Sequence, residues 1–290
     1  MKSSGILFPT ALLLAAASFA AAPRSGFEFR TPDENSFELT ENGKTVYVYN
    51  HGMILKPGVP EQFRRSSYLH PVYSPGGTLL TDDFPKDHYH HRGIFWAWRV
   101  VSYEGEIHDL WTIEGIWHHF VRWIAHDTVP GSARLAVENG WFAGKRKVVK
   151  ETVDIVTHAA GAGRRRMDFT LTFEALGVPV ELSGSPDRGY SGFGMRFAPR
   201  EKTVVETDAG IEKEDTNLVP HPWAQLSAVF DGRQAGARID VDPRNPAAPN
   251  GWCLRHYGYL GVDFPGKERF RLEPGRPVTL RYTVTLFDGK

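Results

Sequence analysis

Three observations predict an all-β fold, a large antiparallel β-sandwich, for this 290-residue chain. Apolar and polar residues alternate with a period of two in several long runs. Turn signals built on glycine, proline and asparagine separate those runs. No run of ten or more residues carries a capped apolar repeat of 3.6 residues.

The elements follow in order. Phe37–Thr40 and Thr45–Tyr49 flank Asn42-Gly43, a pair that favours the type I′ turn of a two-residue hairpin. Leu135–Phe142 reads as a strand, and Val153 and Ile155 alternate with Thr152 and Asp154 ahead of a Gly-Ala loop at residues 159–163. Arg164-Arg165-Arg166, beside that loop, reads as a solvated hairpin end. Met167, Phe169, Leu171 and Phe173 then share one face, with Asp168, Thr170, Thr172 and Glu174 on the other. The C-terminus repeats the pattern from Val278 to Leu286, after a turn at Glu273-Pro274-Gly275. Leu110–Val121 is the one stretch whose period is ambiguous, and Asp242–Pro249 reads as a surface loop too short to separate domains. Residues 23–290 are expected to form a single domain.

Residues 1–22 carry Lys2, an apolar run from Ile6 to Ala17 and then small residues. This is the pattern of a cleaved export signal, so a periplasmic or secreted location is expected. The run is too short, and too interrupted by Pro9, to span a bilayer, and no membrane insertion is expected once the signal is removed. Cys253 is the sole cysteine, which excludes an internal disulfide and fits a small buried residue. Thirty-four basic residues balance 34 acidic ones, with no long like-charge run. That balance argues against nucleic acid or an anionic membrane as partner and favours a small neutral ligand. Eight Trp and ten Tyr supply flat faces suited to a saccharide, as well as to a core.

Chemistry concentrates between His70 and Arg99. This stretch holds four of the twelve histidines, together with Asp82, Asp83 and Asp87, and it ends in the aromatic run Ile94–Trp98. On an extended segment His88 and His90 point to the same side, with His91 opposite unless a turn intervenes. Imidazoles beside carboxylates serve proton transfer near neutral pH, so His88 and His90 are expected as acid and base, with Asp83 or Asp82 orienting them. The same His88/His90 pair could ligate Zn²⁺ or another divalent metal, although His-x-His without a third ligand is a weak motif. Arg92 is expected to stabilise developing charge. His70, His91, Trp96, Trp98, Arg188, Tyr190 and Arg196 are the candidate substrate contacts, the last three from the glycine-rich segment Ser185–Arg196. His108-Asp109 with Trp111, His118-His119, His221-Pro222-Trp223 and His256-Tyr257 are weaker candidates.

Tyr68–Trp98 (YLHPVYSPGGTLLTDDFPKDHYHHRGIFWAW), Gly184–Phe197 (GSPDRGYSGFGMRF) and Leu272–Gly289 together resemble a bacterial domain-of-unknown-function family labelled PmoA-like. The label derives from a methane monooxygenase membrane subunit, an activity at odds with a chain that has no apolar span after its signal. The family in turn resembles galactose-mutarotase-like β-supersandwiches, in which a His and a carboxylate act on a sugar ring. That resemblance implies a role in saccharide use and carries over only to His88, His90, His91 and Arg92. The expectation is therefore an exported protein that acts on a sugar or glycoside by epimerisation, elimination or hydrolysis. A non-catalytic carbohydrate-binding protein and an envelope metal-handling protein are the alternatives.

Overall fold

A computed structural model describes residues 26–289 and Met1; the segment read as an export signal lies outside the described residues. Among the described residues there is no α-helix, and one 3₁₀ turn stands at Glu61–Phe63. Everything else regular is strand, as the period-two pattern requires.

Two nine-stranded antiparallel sheets carry the fold. The first runs Phe27–Asp33, Ser36–Glu41, Lys44–Asn50, Tyr68–Val72, Ile94–Trp98, Ser191–Arg196, Tyr259–Asp263, Gly251–Arg255 and Thr216–Pro220. The second runs Gly210–Glu212, Glu201–Thr207, Trp223–Phe230, Arg233–Val241, Val278–Asp288, Arg164–Ala175, Arg146–His158, Ser132–Ala143 and Trp117–Val129. A third sheet of four short strands continues from the Ile94–Trp98 strand through Val100–Tyr103. The Asn42-Gly43 hairpin forms as expected, both residues taking the positive φ (51° and 78°) that a type I′ turn demands.

The inner faces of the two large sheets meet in one aromatic core. Trp98 packs on Trp141 and Phe173, and Phe193 on Phe169 and Tyr282, with ring centroids 4.5–5.2 Å apart. Alternation sends Ile94, Trp96 and Trp98 into this core and turns Phe95 and Ala97 outward. Every residue of Ile94–Trp98, Ser191–Arg196 and Tyr259–Asp263 is nevertheless buried, because loops cover the outer face of these central strands. That covered outer face is where polar and aromatic side chains gather.

Three local expectations change. Leu110–Val121 divides into a turn and the start of the Trp117–Val129 strand. The segment Ser185–Arg196 is loop only as far as Tyr190, and its second half is a central strand. Arg165, read as solvated, is buried against Glu41.

Candidate functional site at the histidine turn

Residues 85–91 do not run extended. His88 N–H donates to the Pro85 carbonyl at 3.0 Å and His91 N–H to the His88 carbonyl at 2.9 Å, so two tight turns follow one another. The second turn overrides the i, i+2 alternation and gathers all three imidazoles. Ring centroids lie 4.7 Å apart for His88 and His91, 4.6 Å for His90 and His91, and 5.6 Å for His88 and His90. Tyr89, between them, leaves the cluster and packs on Phe63.

His91 is sandwiched face to face between His88 and Tyr259, and Tyr257 stacks on the far side of His88 at 5.1 Å. Four rings thus form one ladder, Tyr257–His88–His91–Tyr259. Its base lies flat on the sheet because Gly194 and Gly261 beneath carry no side chain. A Cβ at Gly261 would come within 2.6 Å of the Tyr259 ring, and one at Gly194 would collide with its hydroxyl.

Asp87 orients the outermost histidine. Its Oδ2 is 2.9 Å from His88 Nδ1, and both its oxygens accept from Arg196 Nη2 at 2.9 Å. The Arg196 guanidinium also lies over the Tyr257 ring, 4.7 Å from its centroid. Burial alone would raise the Asp87 carboxyl, but the bonds from His88 and Arg196 outweigh it and hold it below the usual carboxylate range. With Nδ1 buried and facing the Asp87 carboxylate at 2.9 Å, Nε2 is the nitrogen His88 has left for a ligand.

Opposite the ladder stands Trp111. Asp109 Oδ1 accepts the Trp111 and Thr112 N–H groups at 2.8 Å each, and its Oδ2 meets Arg99 Nε at 3.0 Å, which fixes the turn presenting the indole. Tyr190 stacks on Trp111, ring centroids 5.9 Å apart, and its hydroxyl accepts from Arg188 and Arg255 at 3.0 and 2.9 Å. Arg65 joins the two loops from below by donating to the His90 carbonyl at 3.1 Å and to the Leu110 carbonyl. Between these walls lies a cleft of about 350 Å³ lined by His88, His90, Trp111, Arg188, Tyr190 and Tyr257, with His91, Cys253 and Tyr259 at its base. Its volume suits a small ligand.

Burial, then His88, Arg65 and Arg92, drive the His90 imidazole down to about 3. Burial and its two histidine neighbours push His91 well below its usual value. Both are therefore neutral at physiological pH and can accept a hydrogen bond. Burial pushes the Cys253 thiol up, which removes it as a nucleophile.

Of the residues expected from the sequence, His88, His90, His91, Arg188 and Tyr190 line this one cleft. Arg196 stands behind it and acts through Asp87. The remainder are elsewhere. Asp83 pairs with Arg92 at 3.5 Å, Lys56 at 3.6 Å and the Tyr68 hydroxyl at 3.3 Å, and it touches none of the three histidines. Asp82 folds back on the Asp83 N–H. Arg92 is fully buried, over the Phe84 ring, with its donors spent on the carbonyls of Phe63, Tyr89 and His91. It staples the turn from beneath and cannot meet a substrate. Trp96 and Trp98 lie in the core rather than in a pocket wall, since i and i+2 share a face and that face is the inner one. His70 bonds Thr81 Oγ1 at 3.0 Å, away from the cleft.

His88 and His90, the pair expected to hold a metal, stand at 78° to one another with ring centroids 5.6 Å apart, while His91 stacks on His88 at 14° from parallel. Among the described residues no group of three or more His, Cys, Asp or Glu side chains is placed to hold a metal ion.

Asp87, in the acidic cluster beside His88, and Trp111 and Tyr257, among the weaker candidates, turn out to be site residues, whereas Arg99 and Tyr259 were not expected there, Tyr259 lying some 170 residues from the histidines with no local signal.

The architecture and cleft belong to a β-sandwich protein built on two large antiparallel sheets. By its match over residues 36–290, the chain belongs to a family of unknown function, DUF6807. No curated protein matches it. Among solved structures it is similar to a galactose mutarotase related enzyme from Lactobacillus acidophilus, with 10% identity over 91% of this chain and 98% of that one and a TM-score of 0.34. It is also similar to an aldose epimerase homologue from C. elegans, with 7% identity over 92% of this chain and 100% of that one and a TM-score of 0.36. A third is a heparinase III gene product, 13% identical over 93% of this chain, with a TM-score of 0.31; there the match spans 32% of the longer protein. No helix among the described residues is long and apolar enough to cross a membrane.

Proposed function

We propose that this chain is an exported, carbohydrate-active enzyme whose site is the cleft between the His88 ladder and Trp111. The observation that carries the reading is the Asp87–His88 pair, 2.9 Å apart, at the edge of an aromatic-walled cleft. A carboxylate on Nδ1 fixes the tautomer and ring orientation of an imidazole whose Nε2 can then move a proton. Trp111, Tyr190 and Tyr257 offer the flat apolar faces that stack on a sugar ring, and Arg188 and Arg99 offer donors to its oxygens. Neutral His90 supplies a second acceptor in the same space. Two-carboxylate glycoside hydrolysis has less support, because Asp187 is the carboxylate that lines the cleft, 3.5 Å from Arg188, and the nearby acids are engaged, Asp87 by Arg196 and His88 and Asp109 by Arg99. Proton transfer at a ring carbon, as in epimerisation or elimination, fits the imidazoles better. The export assignment rests on the apolar N-terminal pattern. The resemblance to a PmoA-like group supplies no chemistry for these residues.

The test is turnover and binding measured together on neutral and acidic oligosaccharides, for wild type and His88→Ala. Loss of the acid–base group lowers kcat by about 100-fold or more while leaving Kd within roughly threefold. Turnover untouched in His88→Ala would remove His88 from the chemistry. Wild-type binding without any turnover would assign the chain to the non-catalytic, carbohydrate-binding alternative, which the stacked Trp111–Tyr190 wall also suits.

A further inference from the structure

We propose that the cleft selects a carboxylated saccharide, a uronic acid unit whose carboxylate is held at the mouth by Arg188 and Arg99. This rests on the saccharide reading of the site and names the class of sugar it takes.

The chain as a whole is electrically balanced, but the surroundings of the cleft are not. Arg65 and Arg255 are almost completely buried against its walls. Among the described residues neither has a carboxylate partner. Arg65 donates to the carbonyls of His90 and Leu110 and lies over the Phe95 ring. Arg255 donates to the carbonyls of Thr216 and Leu254, the Tyr190 hydroxyl and the Asn217 side chain. Hydrogen bonds to carbonyls satisfy the geometry of a guanidinium without neutralising it, so both charges remain in low-dielectric surroundings. Arg92, Arg196, Arg99 and Arg188 each face one aspartate, while the pair beneath has no carboxylate in contact, Asp109 and Asp215 acting on Arg65 and Arg255 only through space. The nearby carboxyl of Asp263, on the strand face that also carries Tyr259, offers no counter-charge. It is fully buried with Oδ2 unpartnered, and burial pushes it well above the usual range, which favours its neutral form. His90 and His91 are neutral by the same cause. A concave, aromatic-walled site with excess fixed positive charge focuses an attractive field on an anion.

The donors that would meet this anion stand at the mouth. Arg188, 56% exposed, is steadied by the Tyr190 hydroxyl, and Arg99, 37% exposed, by Asp109. A planar guanidinium matches a carboxylate with two parallel bonds, which favours a uronate over a sulfate ester. The Trp111–Tyr190 wall between them would take the face of the same ring.

Calorimetric titration of the full chain with an oligogalacturonide, its fully methyl-esterified form and a sulfated carrageenan oligosaccharide, which carries no carboxylate, tests this. The free acid is expected to bind at least about tenfold more tightly than the ester, with an advantage that shrinks as salt rises. Arg188→Gln, an exposed side chain, removes much of that advantage with the melting temperature held, and Arg99→Gln removes more while keeping a donor toward Asp109. Equal binding of acid and ester overturns the inference and leaves the saccharide reading standing. Tighter binding of the sulfated oligosaccharide overturns the choice of carboxylate. No binding of any oligosaccharide, neutral ones included, overturns both.

Discussion

The Asp87 carboxylate holds Nδ1 of His88 at 2.9 Å while two bonds from Arg196 hold the carboxylate itself. The pair is built from consecutive residues, yet its third member comes from a strand more than a hundred residues later. Asp87→Asn keeps the side-chain volume but replaces one oxygen with a donor facing Nδ1 or Arg196. Turnover is expected to fall about 10- to 100-fold, the range seen when the partner that orients a functional imidazole is lost. The melting temperature should stay near that of wild type, since Asp87 is half exposed. A drop in kcat tracked by an equal loss of folded protein would make the pair structural.

His70 and His90 are each held near 3 by burial, with neighbouring cations adding to the effect, and His91 is pushed in the same direction. Stability then depends on acidity with a definite sign. Below the unfolded value of 6.5 the unfolded chain takes up protons that the folded chain refuses. Stability is therefore complete above about 6.5 and is lost progressively as pH falls toward 3, by up to about 1.4 kcal/mol per pH unit for each histidine. Urea unfolding at pH 7 and pH 5 measures this slope. His70→Gln and His90→Gln should each flatten it, even where they lower stability at pH 7. An unchanged slope in both would mean that these imidazoles titrate normally.

The strand architecture was legible because its signal is local. Alternation from Met167 to Glu174 and the Asn42-Gly43 pair each determine backbone geometry within a few residues. The histidine cluster was legible as a concentration of groups but not as a geometry. Two turns between Pro85 and His91 bring together side chains that extended backbone would set apart. Asp83 was a plausible partner by distance along the chain, but the Arg92–Asp83 contact closes the loop from beneath and takes that carboxylate away from the cleft. Cys253 and Tyr259, with Tyr257 in the turn between their strands, reach the site only because the Tyr259–Asp263 strand pairs with Ser191–Arg196, a consequence of non-local sheet order. Trp98 shows the converse. An aromatic beside candidate site residues, it turns inward, and its Nε1 donates to the Phe264 carbonyl at 2.7 Å.

Trp98 and Gly194 separate scaffold from site in an experiment. Trp98→Phe loses that buried bond and leaves a carbonyl unpaired and a void, so it should lower unfolding free energy by about 1–3 kcal/mol while leaving ligand affinity intact. Gly194→Ala acts on the outer face of the same sheet, where the added methyl displaces Tyr259 and through it His91. A similar loss, about 1–3 kcal/mol, is expected there, accompanied by weakened binding because the ladder shifts. Denaturant curves and ligand titrations on both variants distinguish the two faces; weakened binding in Trp98→Phe alone would move the site to the inner side.

The ladder also makes a prediction about metals. A Zn²⁺ ion needs imidazole lone pairs converging at about 2.0–2.1 Å on one point. His88 and His91 overlap face to face at 4.7 Å instead, and Tyr257 and Tyr259 close the two ends of the stack. Bringing their nitrogens together would mean dismantling three ring contacts and the Asp87–His88 contact. Added zinc is therefore expected to leave the melting temperature within about 1 °C, whereas a site filled at a hundred times its Kd would add about 2.7 kcal/mol and shift it by several degrees. The chelated protein should melt where the untreated one does. A zinc-dependent rise that disappears in His88→Ala/His90→Ala would show that the rings rearrange around an ion, and the chemistry of the cleft would then become metal-assisted.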